Sequence, residues 1–188
     1  MLEKNRSSDL YTRMVTHALF PIHERLKGHH SVSLRRDLER SQWLDSAALA
    51  TAQVSRLRSF LEEAGRNVPY YERAFAEAQF DPSTVVSVAD LSRVPLLTKS
   101  LIRENSDSLK SLHAGRLVKY NTGGSSGEPL VFYMGMGRVS HDVAAKWRAT
   151  RWWGVDIGDP EIVLWGSPVE LGRQDRYRTI RDRLFRSY

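Results

Sequence analysis

The stretch YNTGGSSGEPLVFY, residues 120–133, decides how the rest of this sequence is interpreted. Its centre, from Thr122 to Gly127, contains no apolar side chain larger than a methyl group. The runs on either side, RLVKY before it and PLVFY after it, have the β-branched and aromatic residues typical of strands. The sequence therefore predicts a strand, a small hydroxyl-rich loop and a second strand.

This loop has the chemical groups that bind an anion. Backbone N–H groups of a glycine-rich turn form an anion-binding concavity, and Ser or Thr hydroxyls add further donors. Glycine also permits positive φ angles and a close approach to a ligand, and Pro129 restricts the exit from the loop. Gly and Ser are, however, common in ordinary polar hairpin turns. From the residues alone, a phosphate cradle and a plain turn both remain open.

Two well-known phosphate motifs are excluded by their spacing. A Walker A loop needs Gly-Lys-Ser/Thr at the start of a helix, whereas Glu128, Pro129 and Leu130 follow this loop and open a strand. The dinucleotide-binding fingerprint needs a different glycine spacing and a helix directly after it. Any phosphate held here would be held between two strands.

Length and composition predict a globular chain without disulfides. The 188 residues suffice for one domain or for part of a larger one. There is no Cys, which excludes disulfides and thiolate metal sites. The first residues lack the apolar core of a signal peptide, and no run approaches the ~20 apolar residues of a membrane span. We therefore expect a cytoplasmic protein with no membrane span.

The positive charge comes mostly from arginine. The net charge is +6, and only six of the 28 basic residues are Lys. Arginine suits phosphate contacts, so nucleic acid has to be considered as a partner. The arginines are interleaved with acidic and apolar residues, which is typical of solvated helix faces. We predict no nucleic-acid partner, and the alternative function is a non-catalytic Arg-rich helical binding or scaffold protein.

The pattern along the chain predicts an α/β fold with a helical N-terminal region. Residues 1–112 read as helices. The clearest is expected to begin with Ser46 as its N-cap and to end near Gly65, and Thr98 is expected to cap a later helix that runs through about Asn105. Residues 113–188 read as strand, loop, strand, helix, turn and strand, the last strand over 162–165, which is the opening of an α/β layer.

Other reactive groups are assigned structural roles. His29 and His30 have no Asp, Glu or third His at ligand spacing, so a loop is predicted there rather than a metal site. His141 and Asp142 point to different sides of a helix and form no dyad. Asp156, Asp159 and Glu161 are predicted to be turn and strand-entry residues. The aromatic residues expected in the core include Trp43, Tyr70, Tyr71, Trp147, Trp152 and Trp153.

The loop also carries a family resemblance. Thr-Gly-Gly-Ser-Ser-Gly-Glu-Pro-Leu at 122–130 resembles the phosphate-binding signature of the adenylate-forming enzymes, a Ser/Thr/Gly-rich loop that ends in Gly-x-Pro between two strands. More narrowly, the chain is similar to the start of phenylacetate–CoA ligase-like proteins, the branch also called coenzyme F390 synthetase or CapK-like. The stretches that carry this match are PIHERLKG (21–28), LERSQWLD (38–45), NVPYYERAFAEAQFDP (67–82), DLSRVPLLTKSLIREN (90–105) and WWGVDIGDPEIVLWG (152–166).

The resemblance implies a two-step activation of a small carboxylic acid. The acid attacks ATP to give an acyl-adenylate, and a thiol, usually coenzyme A, then displaces AMP, with Mg²⁺ neutralising the phosphates. By the family's pattern Thr122, Ser125 and Ser126 offer hydroxyls to the phosphates, while Gly123, Gly124 and Gly127 let the backbone curl around them. Many members of the superfamily have Lys where Leu130 stands here.

The resemblance also implies what these residues lack. In the family, the adenine pocket, the acidic Mg²⁺ ligand, the ribose-binding Asp and the catalytic Lys all come later in the chain. We therefore expect residues 1–112 to be a helical N-terminal region and 113–188 to be the beginning of the ATP-binding domain. No catalytic residue, metal ligand or coenzyme A site is expected in this chain. We expect the chain to be inactive alone, because it would be a fragment or one half of a split enzyme. It would then bind a complementing C-terminal piece or associate with itself.

Overall fold

Helices predominate in the computed structural model of the chain, which describes residues 10–122, 129–162 and 176–186. The helices are α1 Leu10–Met14, α2 Phe20–Leu26, α3 Ser31–Ser41, α4 Ser46–Asn67, α5 Pro69–Glu77, α6 Lys99–Glu104, α7 Met136–Arg151 and α8 Arg176–Leu184. A π-helical turn, Val15–Leu19, joins α1 to α2, and short 3₁₀ segments cover Pro82–Thr84 and Val88–Arg93.

The strands are β1 Leu117–Asn121 and β2 Val131–Gly135, which pair antiparallel in a two-stranded sheet. The chain thus combines helices and strands, in keeping with the predicted mixed class. Its assignment to the large domain of an adenylate-forming enzyme stays a prediction. A strand was predicted over residues 162–165. Residues 163–165 lie outside the described residues, so this strand stays a prediction.

Close contacts group the chain into two units. We call Arg40–Val139 the hairpin unit, because it contains β1 and β2, and Met1–Glu39 with Ser140–Tyr188 the terminal unit. These units do not test the predicted domain boundary at residues 112 and 113, which stays a prediction.

The long helix α4 begins and ends through specific local interactions. Asp45, not Ser46, is its N-cap, because the Asp45 carboxylate accepts a hydrogen bond of 2.8 Å from the N–H of Ala48. The predicted cap was therefore wrong by one residue. Near the other end, a Cβ atom on Gly65 would lie 3.0 Å from Cδ2 of Phe75, so glycine allows α4 and α5 to approach closely here.

The core of the hairpin unit forms where α4, α5 and the following segment meet. Leu61, Phe75, Phe80 and Val85 are buried together. The rings of Phe75 and Phe80 are 5.1 Å apart and nearly perpendicular, an arrangement that aromatic pairs favour. Arg58 donates a 2.9 Å hydrogen bond from Nε to the carbonyl oxygen of Val85, which satisfies a backbone acceptor beside this core.

The core of the terminal unit is built around Trp147, which is 2% exposed. Its ring packs edge-on against Phe20 at 5.0 Å, and the guanidinium of Arg35 lies 4.4 Å from the ring centroid. Its indole N–H donates to a carboxylate oxygen of Asp156 at 2.5 Å. The prediction that Trp147 is a core residue is confirmed.

Three other tryptophans were predicted to pack in the core and do not. Trp152 and Trp153 are 60% and 85% exposed, and Trp43 is 81% exposed. The physical reason is their position in turns. Trp152 and Trp153 follow the end of α7, and Trp43 lies between α3 and α4, so no helix face directs these side chains inward.

Truncation of Phe75 should destabilise the chain far more than truncation of Phe60 on the neighbouring helix. Phe75→Ala removes a ring that is 4% exposed, and we expect the free energy of unfolding to fall by about 3–5 kcal/mol. Phe60 is 65% exposed, so Phe60→Ala should change it by only about 0.5 kcal/mol or less. Urea unfolding followed by circular dichroism measures both, and equal losses would contradict the placement of the core.

Candidate functional site

The loop at the centre of the sequence is the turn of a β-hairpin. β1 and β2 pair in register from Leu117 opposite Gly135 to Asn121 opposite Val131, so residues 122–130 connect the two strands. The prediction of a strand on each side of the loop is confirmed. Both strands lie in the hairpin unit, and the loop leaves the end of the sheet at Asn121 and Val131.

Two hydrogen bonds close the base of this loop. The backbone N–H of Thr122 donates to the carbonyl oxygen of Leu130 at 3.0 Å. The N–H of Leu130 in turn donates to the hydroxyl oxygen of Thr122 at 2.9 Å. Thr122 therefore extends the hydrogen-bond ladder between β1 and β2 by one pair, through its backbone N–H and its side-chain hydroxyl. Its hydroxyl accepts in this bond and keeps its own proton to donate elsewhere.

The predicted phosphate-binding residues fall into two groups. Thr122 is exposed at the base of the loop, beside Leu130. The other members, Gly123, Gly124, Ser125, Ser126 and Gly127, lie outside the described residues. Their contacts to phosphate therefore stay predictions, and the described part of the site is the platform on which these five residues are mounted.

The two faces of the hairpin differ in character. Directly paired residues share a face, so Lys119 and Tyr133 lie on one side, and Tyr120 and Phe132 on the other. The rings of Tyr120 and Phe132 are 6.1 Å apart and nearly parallel. This cross-strand aromatic pair stabilises the register that holds the loop in place.

Two hollows lie against the hairpin. The first, which we call the loop-base depression, is lined by Lys119, Tyr120, Asn121, Pro129 and Val131. Lys119 is exposed, as expected for a solvent-facing strand residue, and it has no carboxylate partner within the described parts of the chain. The depression therefore presents a positive charge directly beside the base of the loop.

The second hollow, which we call the sheet-face cavity, has a volume of about 450 Å³. Leu117, Val131 and Tyr133 form its sheet wall, and Val131 also lines the loop-base depression, so the two hollows adjoin. The remaining lining residues come from α5 and the segment before β1, among them Tyr71, Leu97, Ile102, Leu109, Lys110 and Ala114.

The walls of the sheet-face cavity are held by backbone hydrogen bonds. The N–H of Tyr70 donates to the carbonyl oxygen of Ser108 at 3.0 Å, and the N–H of Leu112 donates to that of Asn67 at 2.7 Å. These bonds attach the segment before β1 to the ends of α4 and α5. Burial raises the pKa of the Tyr71 hydroxyl, as expected for a group on a weakly solvated wall.

Lys110 provides a cation at the edge of this cavity. Its ammonium lies 4.3 Å from the ring centroid of Tyr133 and 2.7 Å from the carboxylate of Asp107. The hydrogen bond between Lys110 and Asp107 raises the pKa of the lysine and lowers that of the carboxyl group. The Asp107 side chain is almost fully exposed, so this ion pair lies at the rim. Sequence reasoning missed the cavity, because its walls come from segments that are far apart in sequence.

The described residues fit some of the implied cofactors and not others. An exposed Lys119 and the free hydroxyl proton of Thr122 fit an anion such as a nucleotide phosphate at the loop base. For Mg²⁺ the fit is poor, since the described segments bring together no three His, Asp or Glu side chains that could hold a metal ion. No described residue tests the coenzyme A site.

A buried carboxylate in the terminal unit was not predicted. Glu24 is 3% exposed and lies 3.0 Å from Nδ1 of His29, and the Ser31 hydroxyl donates to the same carboxylate oxygen at 2.7 Å. The loop predicted at His29 and His30 is confirmed, but the contact between Glu24 and His29 was not predicted, because it depends on the turn at Gly28. The Ser31 hydroxyl is fully buried and bonded to a carboxylate, so this cluster holds the α2–α3 turn and offers no accessible nucleophile.

His23, next to Glu24, has a lowered pKa. Burial is the main cause, followed by the positive charge of Lys27. Its ring packs against Phe20 and Phe185, with centroids 6.2 and 5.2 Å away. These contacts favour the neutral ring and give His23 a packing role.

The remaining candidates have structural roles. His141 and Asp142 are both exposed on α7 and adjacent in sequence, so they face different directions. The Asp159 carboxylate accepts from the backbone N–H of Asp156 at 2.8 Å, which confirms Asp156 and Asp159 as turn residues.

Comparison with known proteins gives limited support for the resemblance. No family model matches the chain. The chain is 28% identical over 92 residues to "Protein CapK" of Staphylococcus aureus. The match covers 49% of this chain and 20% of that protein, so the chain corresponds to about a fifth of its length. This similarity supports a distant relationship to a CapK-like protein. Separately, none of the helices within the described ranges is long and apolar enough to cross a membrane.

Replacement of Thr122 should test the closure of the loop. Thr122→Val keeps the shape of the side chain but removes the hydroxyl that accepts from Leu130, whereas Thr122→Ser keeps an acceptor. We expect hydrogen exchange of the Leu130 amide to accelerate about fivefold in the Val variant and to stay within about twofold of wild type in the Ser variant, since one such bond contributes about 1 kcal/mol. NMR exchange measures this. An unchanged rate in the Val variant would contradict the closure.

Proposed function

We propose that this chain is the N-terminal part of an ATP-dependent, acyl-adenylate-forming acid–thiol ligase, in which the loop from Thr122 to Gly127 holds the nucleotide's phosphates. The observation that carries the proposal is the strand–loop–strand hairpin with a base closed by Thr122 and Leu130. This geometry supports the proposal because a rigid base presents a short glycine-rich loop at a defined position.

The chemistry of the loop supports an anionic ligand. Phosphates carry negative charge that shifts toward the leaving group during adenylation, and preorganised N–H and O–H donors stabilise such charge. The sequence supplies hydroxyls at Ser125 and Ser126 and glycines around them. Because the exposed ammonium of Lys119 lies on the strand that enters the loop, it adds long-range attraction where Leu130 supplies none.

The sequence similarity to Protein CapK supports the same proposal, because it indicates a distant relationship to a CapK-like protein. The family resemblance implies ATP and a small carboxylic acid as partners, with Mg²⁺ and coenzyme A bound by residues outside those described here. A complementing C-terminal piece would supply the catalytic groups. These partners remain proposals for this chain.

The described structure offers little support for the alternative, an Arg-rich protein that binds an acidic partner. Several arginines are engaged within the fold. Arg35, Arg93 and Arg148 lie over the rings of Trp147, Phe80 and Trp152. Arg151 pairs with Glu39 and Asp156. These contacts engage the four arginines inside the fold, with rings or with acidic side chains.

Removal of the loop hydroxyls should weaken ATP binding. We expect the double variant Ser125→Ala/Ser126→Ala to bind ATP at least about tenfold more weakly than wild type, because each hydrogen bond to a charged group contributes about 1.5–3 kcal/mol. Isothermal titration calorimetry at fixed salt measures the affinity. The matched control is Ser55→Ala/Ser59→Ala on α4, which removes two exposed hydroxyls away from the hairpin. Equal affinities in all three proteins would exclude the loop as the phosphate site.

The 188 residues expressed alone should bind nucleotide without turnover. The described residues bring together no three His, Asp or Glu side chains that could hold Mg²⁺, so we expect no ATP–pyrophosphate exchange with aryl or fatty acids. Exchange should appear when a C-terminal piece of a CapK-like relative is co-expressed. Exchange by the 188 residues alone would contradict the assignment of this chain as an incomplete active site.

A further inference from the structure

We propose that the exposed face of α8, formed by Ile180, Arg183 and Leu184, binds the surface of an anionic phospholipid bilayer. The helix lies parallel to the bilayer, with its apolar side chains at the boundary between headgroups and acyl chains and its arginines beside the headgroup phosphates. This inference goes beyond the proposed function and does not rest on it, since α8 belongs to the terminal unit and the phosphate loop to the hairpin unit.

One side of α8 is attached to the rest of the terminal unit. The ring of Phe185, directly after the helix, lies 5.6 Å from the ring of Phe20 and 5.2 Å from that of His23, measured between centroids. The Tyr11 hydroxyl donates a 2.8 Å hydrogen bond to the carbonyl oxygen of Leu184. These contacts hold the C-terminal end of the helix in a defined orientation, so they also define which face it turns to solvent.

The face that turns to solvent carries an apolar pair. Ile180 and Leu184 are 60% and 40% exposed. Because they are four residues apart in a helix, their side chains lie next to each other on one face. Phe185 follows one position later, about 100° further around the helix axis, so its inward contacts leave the apolar pair uncovered. The helix therefore keeps an open apolar stripe after it has packed onto the unit.

The charge of this segment is complementary to an anionic surface. Residues 176–186, RYRTIRDRLFR, contain five Arg and one Asp. Arg183 is exposed three residues after Ile180, so it borders the apolar stripe, and it has no ionic partner among the residues that the structure describes. Arg181 borders the stripe on its other side, where Asp182 pairs with it. An apolar stripe with a basic border is typical of helices that lie on membrane surfaces.

The apolar stripe favours a bilayer over nucleic acid as the anionic partner. The backbone of a nucleic acid offers phosphates to the arginines, but it offers no apolar region to Ile180 and Leu184 in the middle of the face. A bilayer offers both, because its phosphates lie directly above the acyl chains. The aliphatic stems of the arginines cover apolar surface while their charged ends reach the headgroups.

Two variants remove the two parts of this face separately. Ile180→Ser/Leu184→Ser removes the apolar stripe, and Arg183→Gln removes the cation that has no ionic partner among the described residues. All three positions are exposed, so we expect both variants to keep the fold. Circular dichroism of the full chain checks this expectation before any binding is measured.

Co-sedimentation of the full chain with lipid vesicles measures the binding. One set of vesicles contains equal amounts of phosphatidylserine and phosphatidylcholine, and the other contains phosphatidylcholine alone. We expect wild type to bind the anionic vesicles at least about tenfold more tightly, because each Arg near an anionic surface contributes about fivefold in affinity. Raising the ionic strength from about 0.1 M to about 1 M should remove most of this preference, because the Debye length falls from about 10 Å to about 3 Å.

The variants should weaken binding to the anionic vesicles by different amounts. We expect Arg183→Gln to bind about fivefold more weakly than wild type, as for the loss of one cation. We expect Ile180→Ser/Leu184→Ser to bind at least about tenfold more weakly, because two apolar side chains no longer leave water. The matched controls, which should bind like wild type, are Val86→Ser/Leu96→Ser, at positions that are 72% and 87% exposed, and Arg66→Gln, at an exposed position on α4.

The inference is overturned if wild type binds neither kind of vesicle, if it binds both equally, or if the two α8 variants bind as well as wild type does. Binding to a short DNA duplex in place of the anionic vesicles would assign the face to nucleic acid. A wild-type dimer without lipid that Ile180→Ser/Leu184→Ser converts to a monomer would assign it to a second copy of the chain. Ser125→Ala/Ser126→Ala should bind vesicles like wild type, so failure of the phosphate loop is distinguishable from failure of this inference.

Discussion

The closure of the β1–β2 hairpin by Thr122 and Leu130 is the interaction on which the candidate site depends. An isolated two-stranded hairpin is at best marginally stable, so this one needs support. Support comes from the stacked pair of Tyr120 and Phe132 on one face and from the cavity wall on the other. With its base held, the loop leaves the sheet at a fixed place.

The position of the loop depends in turn on the segment that precedes β1. This segment is attached to the ends of α4 and α5 through the hydrogen bonds of Tyr70 and Leu112. The same helices bury Leu61 and Phe75 in the core of the hairpin unit. Packing of the core therefore supports the cavity wall, and the cavity wall supports the sheet face that carries Lys119. This chain of contacts connects residues far from the loop to the geometry of the candidate site.

Local signals in the sequence predicted much of this architecture. Glycine and hydroxyl residues between two β-rich runs predicted the hairpin, and Thr98 was correctly predicted as the N-cap of α6. Signals that depend on tertiary contacts were missed. Gly65 was correctly expected near the end of α4, but its close approach to Phe75 was not predicted, because that approach depends on how α4 packs against α5. Trp152 and Trp153 looked like core residues, but the turn after α7 leaves them in solvent.

The candidate site was predictable only in part, for a similar reason. Thr122 was identified as a polar loop residue, but its bond to the Leu130 amide requires the strand register, which composition does not give. The cavity behind Tyr133 was not predicted, because its walls come from segments more than sixty residues apart in sequence, from Tyr71 to Gly135. The contact between Glu24 and His29 was also not predicted, because it depends on the geometry of the turn between them.

The most direct test of the central claim is an NMR titration of the chain, labelled with nitrogen-15, with inorganic pyrophosphate and with sulfate as the reference anion. If the loop holds phosphates, the amide signals of Gly123, Gly124, Ser125, Ser126 and Gly127 should shift with pyrophosphate in a saturable way, and much less with sulfate. Signals that stay in place, or that move equally with both anions, would contradict the account.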